Sequence, residues 1–145
     1  LSTDIIVGYP GETEADFADT MSLLERVRYD SIYSFAYSRR PGTPAVSQPD
    51  DVPAEEKSRR LQAVQNLQRD VTAERLGRLV GRVEEVLCEG FARMQNGKLC
   101  GRTGGNHTVN FTFDESVVDP QALVGKLCRV RITDAKSHTL AGQLD

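Results

Sequence analysis

The chain has no tryptophan and only 6% aromatic residues in 145, so its core must be assembled from aliphatic side chains. Its three cysteines stand at 88, 100 and 128. An odd and widely spaced set excludes a disulfide framework and points to a reducing, cytoplasmic setting. No apolar run approaches the ~20 residues that a bilayer-spanning helix requires, so no membrane partner is expected. No basic-then-apolar leader follows Leu1, so no secretion signal is expected either. A large excess of one charge is also lacking. Eighteen Lys+Arg face 21 Asp+Glu, a net charge of −3, which argues against a nucleic-acid binder that is basic throughout.

What is present is a globular composition, 39% hydrophobic and 27% charged, in a length that fits one ordinary domain or two small units. Charge is unevenly placed. Residues 1–78 hold 10 Lys+Arg against 13 Asp+Glu, and residues 79–145 hold 8 against 8. Within the second part, Phe91 to Phe113 carries Arg93, Lys98 and Arg102 with no acid. Lys126 to His138 adds Lys126, Arg129, Arg131 and Lys136 against Asp134 alone. Two local basic stretches therefore sit inside an acidic chain.

Asp4-Ile5-Ile6-Val7-Gly8 is a β-branched run ended by Gly8-Tyr9-Pro10-Gly11, which predicts a buried strand and a tight turn. Thr13 and Asp16 have capping-box spacing. Phe17, Met21, Leu24 and Val27 then share a helical face, so a helix is expected over about 14–28. Ser31–Tyr37 alternates Ile32, Ser34, Ala36 against Tyr33, Phe35, Tyr37 and reads as a second strand. The three elements make one βαβ unit with parallel strands. Arg39–Pro53 is loop. A second helix is expected over Pro53–Gly77, with a narrow stripe of Leu61, Val64, Leu67, Val71 and Leu76. So narrow a stripe suits a connector lying across a surface. Five short strands are expected after Leu79: Arg82–Gly90, Leu99–Thr103, His107–Phe113, Leu127–Thr133 and His138–Leu144. Such a set suggests a small closed barrel, since closure removes edges. The fold class is thus α+β in two parts, 1–78 and 79–145.

Two turns follow parallel strands and emerge on one sheet edge, where ligands bind in α/β folds. The first, Gly8-Tyr9-Pro10-Gly11-Glu12, exposes backbone N–H groups but is neither a Rossmann fingerprint nor a P-loop. It reads as a ligand turn or as a plain βα turn. The second, Tyr37-Ser38-Arg39-Arg40-Pro41-Gly42-Thr43-Pro44, carries Arg40 on a stiff loop, either reaching for an anion or merely on the surface. In the second half, Lys98, Arg102, Asn106, His107, Arg129 and Lys136 are cationic or polar groups able to meet phosphates and unstacked bases. They are expected to share one face. Cys128, which shares a strand face with Val130 and Ile132, reads as a core thiol. Cys100 shares strand parity with Lys98 and Arg102.

These segments resemble a known family. Asp4-Ile5-Ile6-Val7-Gly8-Tyr9-Pro10-Gly11-Glu12-Thr13 and Tyr37-Ser38-x-Arg40-Pro41-Gly42-Thr43-Pro44-Ala45 are similar to the late barrel segments of radical-SAM methylthiotransferases. Leu99-x-Gly101-Arg102-Thr103-x-x-Asn106-x-x-Val109-x-Phe111 and Ile132-Thr133-x-Ala135-x-x-His138-x-Leu140-x-Gly142 resemble the TRAM domain that closes those enzymes. The resemblance covers nearly the whole chain. Asn106 and the Val109-x-Phe111 strand resemble the MiaB-type branch, which modifies tRNA. The branch acting on a ribosomal protein usually has an acid where Asn106 stands.

The resemblance implies the end of a radical-SAM (β/α) barrel, a connector helix, and a five-stranded antiparallel, OB-like RNA-binding barrel. It implies a parent transferase that methylthiolates C2 of N6-isopentenyladenosine beside the anticodon, using S-adenosylmethionine and two 4Fe-4S clusters. Gly8, Pro10, Gly11 and Glu12 would line the S-adenosylmethionine pocket and Arg40 the substrate region. The cysteines lack the close spacing a cluster needs, so its ligands would lie upstream of Leu1, and this segment alone would be inactive and bind no cofactor. The tRNA anticodon stem-loop is the implied partner. The alternatives are a protein-binding region, as in the ribosomal-protein branch, or a barrel that chiefly packs on the catalytic domain. His107 departs from the family, which often has Arg there. An incomplete (β/α) barrel would also leave Ile5, Ile6, Val7, Ile32 and Phe35 without neighbours, so self-association through residues 1–78 is expected.

Overall fold

The computed structural model describes residues 1–93 and 97–145; the acid-free stretch from Phe91 to Phe113 lies partly outside them. It divides into two compact units, Leu1–Thr72 and Ala73–Asp145.

In the first unit, strand β1 (Ser2–Val7), helix α1 (Glu14–Val27) and strand β2 (Ser31–Ala36) form the expected βαβ unit. The strands pair in parallel from Ser2↔Ser31 to Val7↔Ala36. Thr13 and Asp16 close a complete capping box at the start of α1. At its end Arg28 turns left-handed, φ 52°, and donates its N–H to the Leu24 carbonyl at 2.9 Å. Val7, Phe17, Leu24 and Val64 form the core, with Ile5 and Ile32 packed against it. Each such buried side chain contributes about 1.5–3 kcal/mol. The opposite face of the sheet, with Ile6, Tyr33 and Phe35, is exposed. Of the five residues expected to lack neighbours, Ile6 and Phe35 alone are exposed, because the helices cover the other face.

Helix α2 (Ala54–Gly77) corrects the surface-connector expectation. Val64, Val71 and Leu76 on its stripe are fully or almost fully buried. Val64, with Leu61 and Leu67, packs on the covered face of the two-stranded sheet, whereas Leu76 belongs to the barrel core. The first turns of α2 also bury two cations, Lys57 and Arg60, which the sequence pattern assigned to a solvated face.

The second unit is a closed barrel in the order β3-β4-β5-β7-β6, made of β3 (Val83–Phe91), β4 (Leu99–Thr103), β5 (Thr108–Thr112), β6 (Leu127–Ala135) and β7 (Leu140–Leu144). Short helix α3 (Pro120–Leu123), capped by Asp119, interrupts the acidic segment before β6. Four neighbouring pairs are antiparallel, but β5 and β7 run parallel. The all-antiparallel expectation is corrected here by parity. Strand directions cannot alternate around a ring of five, so a closed barrel of five must contain a parallel pair. Alternation holds as read: Cys128, Val130 and Ile132 point inward while Arg129 and Arg131 point out. The core also takes Leu76, Val86, Cys88, Leu99, Val109, Phe111 and Leu140. Gly101 and Gly142 face this core where no methyl group fits. A Cβ on Gly101 would lie 2.3 Å from the Leu87 carbonyl oxygen, and one on Gly142 would lie 2.5 Å from Val130 Cγ1. Glycine there lets the strands of so small a barrel approach.

Candidate functional site

One end of the barrel gathers most of the residues singled out from sequence. The β4–β5 turn is fixed by Asn106 N–H to the Thr103 carbonyl (2.8 Å), Thr103 N–H to the His107 carbonyl (3.0 Å) and His107 N–H to Thr103 Oγ1 (3.1 Å). Asn106 is left-handed, φ 64°, a conformation that Asn tolerates better than most residues. Its Oδ1 accepts from Arg102 Nη1 at 3.0 Å. Arg102 Nε lies 3.4 Å from Glu89 Oε1 on the neighbouring strand. Lys136 stands in the β6–β7 turn, where its N–H donates to the Thr139 carbonyl and its ammonium pairs with Asp134. The pairings Arg102↔Thr108, Val109↔Leu140 and Leu140↔Ala135 bring that turn to the same end of the barrel as Arg102.

Two of the six candidates stand apart. Lys98 precedes β4 and is half-buried, four positions from Arg102 and so roughly 13 Å away along an extended chain. Arg129 lies on β6, across β3 from β4, opposite Glu85. It is bound to Asp145 at 3.4 Å, and Asp145 also takes Arg131 at 2.7 Å. The structure thus joins Arg102 to Asn106, sets His107 and Lys136 at the same end, and puts Lys98 and Arg129 elsewhere. Glu89 escaped the sequence reading, and Arg131 figured in it only as part of a basic stretch. Arg131 shares strand parity with Arg129 and was recoverable from it, whereas Glu89 needed the pairing of β3 with β4.

Burial shields two of the three thiols and partly covers the third. Cys88 and Cys128 are buried and Cys100 is half-buried, and burial raises the pKa of each above the ordinary value. Among the described residues no group of three His, Cys, Asp or Glu is placed to hold a metal. The residues present therefore do not fit an iron–sulfur cluster.

In the first unit, the turn after β1 is held by carboxylates. Gly8 N–H donates to Glu12 Oε2 at 2.5 Å and Gly11 N–H to Asp51 Oδ1 at 2.8 Å. The same Glu12 oxygen takes Arg60 Nη1 at 2.7 Å, and side chains of both residues are at most 10% exposed. Arg60 also binds Glu56 through Nε at 2.9 Å. Arg59 and Arg60 together draw the Glu56 carboxyl down to about 2. Gly8 itself, φ 69°, lies against the Lys57 stem. The Lys57 ammonium bonds Asp50 at 2.5 Å and sits 5.2 Å from the centre of the Tyr37 ring. Glu12 thus ties the turn to α2.

Beside this turn lies a cleft of 510 Å³ lined by Ile6, Tyr9, Phe35, Tyr37 and Arg40 among others. Tyr9 and Tyr37 meet edge to face at 5.4 Å. Thr43 bonds the Arg40 carbonyl through both its N–H (3.3 Å) and its hydroxyl (2.8 Å), which stiffens the loop under that cation. The volume suits a small ligand, and the lining is mainly apolar with one cation, Arg40, and one carboxylate, Asp4, a few polar groups among apolar ones as in small-molecule sites. Gly8, Gly11 and Glu12 do not line it, although the neighbouring Tyr9 does. The aromatic walls were legible as the Tyr33, Phe35, Tyr37 face of β2 but were not singled out.

The barrel is a TRAM domain: residues 77–144 match the family model of that name. Beyond it, the whole chain matches the C-terminal part of one kind of tRNA-modifying enzyme. It is 45% identical over 144 residues to the tRNA-2-methylthio-N(6)-dimethylallyladenosine synthase of Thermoanaerobacter sp. (strain X514). It is 46% identical to that of Acetivibrio thermocellus and 49% identical to that of Geobacter metallireducens. The alignments take in 99% of this chain but 29%, 29% and 31% of those relatives, so the chain spans about three-tenths of their length. No helix among the described residues is long and apolar enough to cross a membrane.

Proposed function

We propose that this chain is the C-terminal part of a cytoplasmic radical-SAM transferase that methylthiolates C2 of N6-isopentenyladenosine beside the anticodon, and that its barrel holds the tRNA. The observation that carries the reading is similarity over 99% of the chain to enzymes of that name, with the TRAM match beneath it. The cations at one end of the barrel supply the electrostatics, since phosphate neutralisation dominates affinity for nucleic acid. Arg102 and Lys136 meet phosphates of the anticodon stem-loop, and the polar turn around Asn106 and His107 faces unpaired bases.

The parent would use S-adenosylmethionine and two 4Fe-4S clusters, the cofactor serving as a radical source. The described residues offer the clusters no ligand set. The cleft beside Tyr9, Phe35, Tyr37 and Arg40 fits a nucleoside-sized group, with aromatic faces for a ring and Arg40 for an anion. Glu12 acts there at one remove, by holding the turn that carries Tyr9.

Titrating the 145-residue chain with a tRNA anticodon stem-loop tests the RNA reading. Neutralising the two phosphates met by Arg102 and Lys136 gives a log–log salt slope of about −1.4, at −0.7 for each phosphate on a single strand. Affinity that ignores salt, or that is equal for a duplex DNA of the same length, would rule it out.

A further inference from the structure

We infer that Asn106 is a positioning residue: with Glu89 it holds the Arg102 guanidinium in place, and Arg102 is the group that meets the RNA. This inference rests on the RNA reading above and assigns the work within it. Asn106 lies in the turn that a single-strand reader would be expected to use, and an amide there invites assignment as a base contact. Its amide oxygen is engaged instead by a neighbouring side chain on the same surface. The left-handed backbone and the Thr103 bond fix where its side chain starts, and its Oδ1 is taken by Arg102 Nη1 at 3.0 Å.

Arg102 is held on a second edge as well, because its Nε lies 3.4 Å from Glu89 Oε1. A guanidinium presents five N–H donors in a rigid fork. Here Nε and Nη1 are the nitrogens engaged, and Nη2 carries neither contact. The side chain remains 46% exposed, so an anion can reach it. Immobilising a rotamer-rich side chain on binding ordinarily weakens affinity by about 2- to 10-fold, and a guanidinium already held avoids most of that loss. Asn is well chosen for the task. As a neutral acceptor it orients the cation without adding to the negative charge of Glu89, whereas a second carboxylate, at 106, would compete further with phosphate for Arg102.

The test is a double-mutant cycle on the 145-residue chain, with a fluorescent tRNA anticodon stem-loop at low salt. Asn106→Gly removes the amide yet suits the left-handed backbone, so the turn survives, and an unchanged melting temperature confirms that it has. Arg102→Ala should weaken binding by about 10-fold and reduce the steepness of the salt slope by about 0.7, the loss of one phosphate contact. Asn106→Gly should weaken binding by about 2- to 5-fold, part of the pre-organisation gain, and leave the slope unchanged because the cation remains. The double variant should bind no more weakly than Arg102→Ala. Losses that multiply in the double variant would show that Asn106 touches RNA itself and would overturn this inference alone. Wild-type affinity in Asn106→Gly would overturn it too. Wild-type affinity in Arg102→Ala would overturn both it and the placement of the RNA interface at this end of the barrel.

Discussion

Replacing Gly101 by alanine puts a methyl group where the barrel has no room. Its Cβ would lie 2.3 Å from the Leu87 carbonyl oxygen and 2.6 Å from Val86 Cγ1, against an optimum of ~3.5–4.0 Å for non-bonded carbon atoms. Val86 is fully buried, and the Leu87 carbonyl is backbone, so neither can swing aside. Relief requires β3 and β4 to part. Overpacking costs about 1–3 kcal/mol, and a clash with backbone belongs at the upper end. The alanine recovers about 0.4–1 kcal/mol by restricting the unfolded chain. A net loss of about 2–2.5 kcal/mol lowers the melting temperature of a unit this size by roughly 10–20 °C. Tyr9, Tyr29, Tyr33 and Tyr37, the four tyrosines, all lie in the first unit, so tyrosine fluorescence follows that unit alone. Amide exchange at Val109 and Leu140 follows the barrel. The expected result is lost barrel protection with the tyrosine transition unmoved, and with Gly104→Ala, which meets nothing within 4 Å, close to wild type. A Gly101→Ala barrel that melts within a degree or two of wild type would refute the packing argument.

Other outcomes follow from the same structure. Arg60→Ala leaves Glu12 buried without its cation and should destabilise the first unit by about 3–5 kcal/mol, read by tyrosine fluorescence in urea; Arg60→Met, which fills the space, should cost about as much if the stranded carboxylate is the cause. Cys100 should react with a thiol reagent in the native chain while Cys88 and Cys128 wait for unfolding; equal rates for all three would contradict their burial. Because the folded thiols titrate above their ordinary 9.0, the unfolded barrel sheds protons first, so urea midpoints should fall as pH rises past about 9. The exposed face with Ile6, Tyr33 and Phe35 should make the 145-residue chain self-associate, whereas residues 73–145, which keep Leu76 in the barrel core, should sediment as a monomer; a strictly monomeric long chain would count against that face as the contact.

Much of this was legible because it is local. The capping box at Thr13 and Asp16, the alternation from Cys128 to Ile132 and the strand Leu99–Thr103 each depend on neighbours in sequence, and each stands where the pattern put it. What escaped is what distant segments do to one another. Lys57 and Arg60 look like solvated charges until Asp50 and Glu12 arrive from other loops. Glu89 gains its role only through the pairing of β3 with β4. The parallel β5–β7 pair is a different failure, since counting five strands and asking for closure already requires it.

That parallel pair also bears on how the barrel comes together in time. Strands β3, β4 and β5 pair in chain order, as do β6 and β7, so each group can form from local pairings. The two seams that close the ring, β3–β6 and β5–β7, both wait on the segment from Phe113 to Lys126. Local pairings form quickly and long-range ones slowly, because loop entropy is spent before contacts return it. Closure should therefore set the folding rate, and doubling the length of that segment should slow folding by only about threefold, the ~0.6 kcal/mol of one doubling in loop length. The acidic bridge outside the barrel thus acts as its clock.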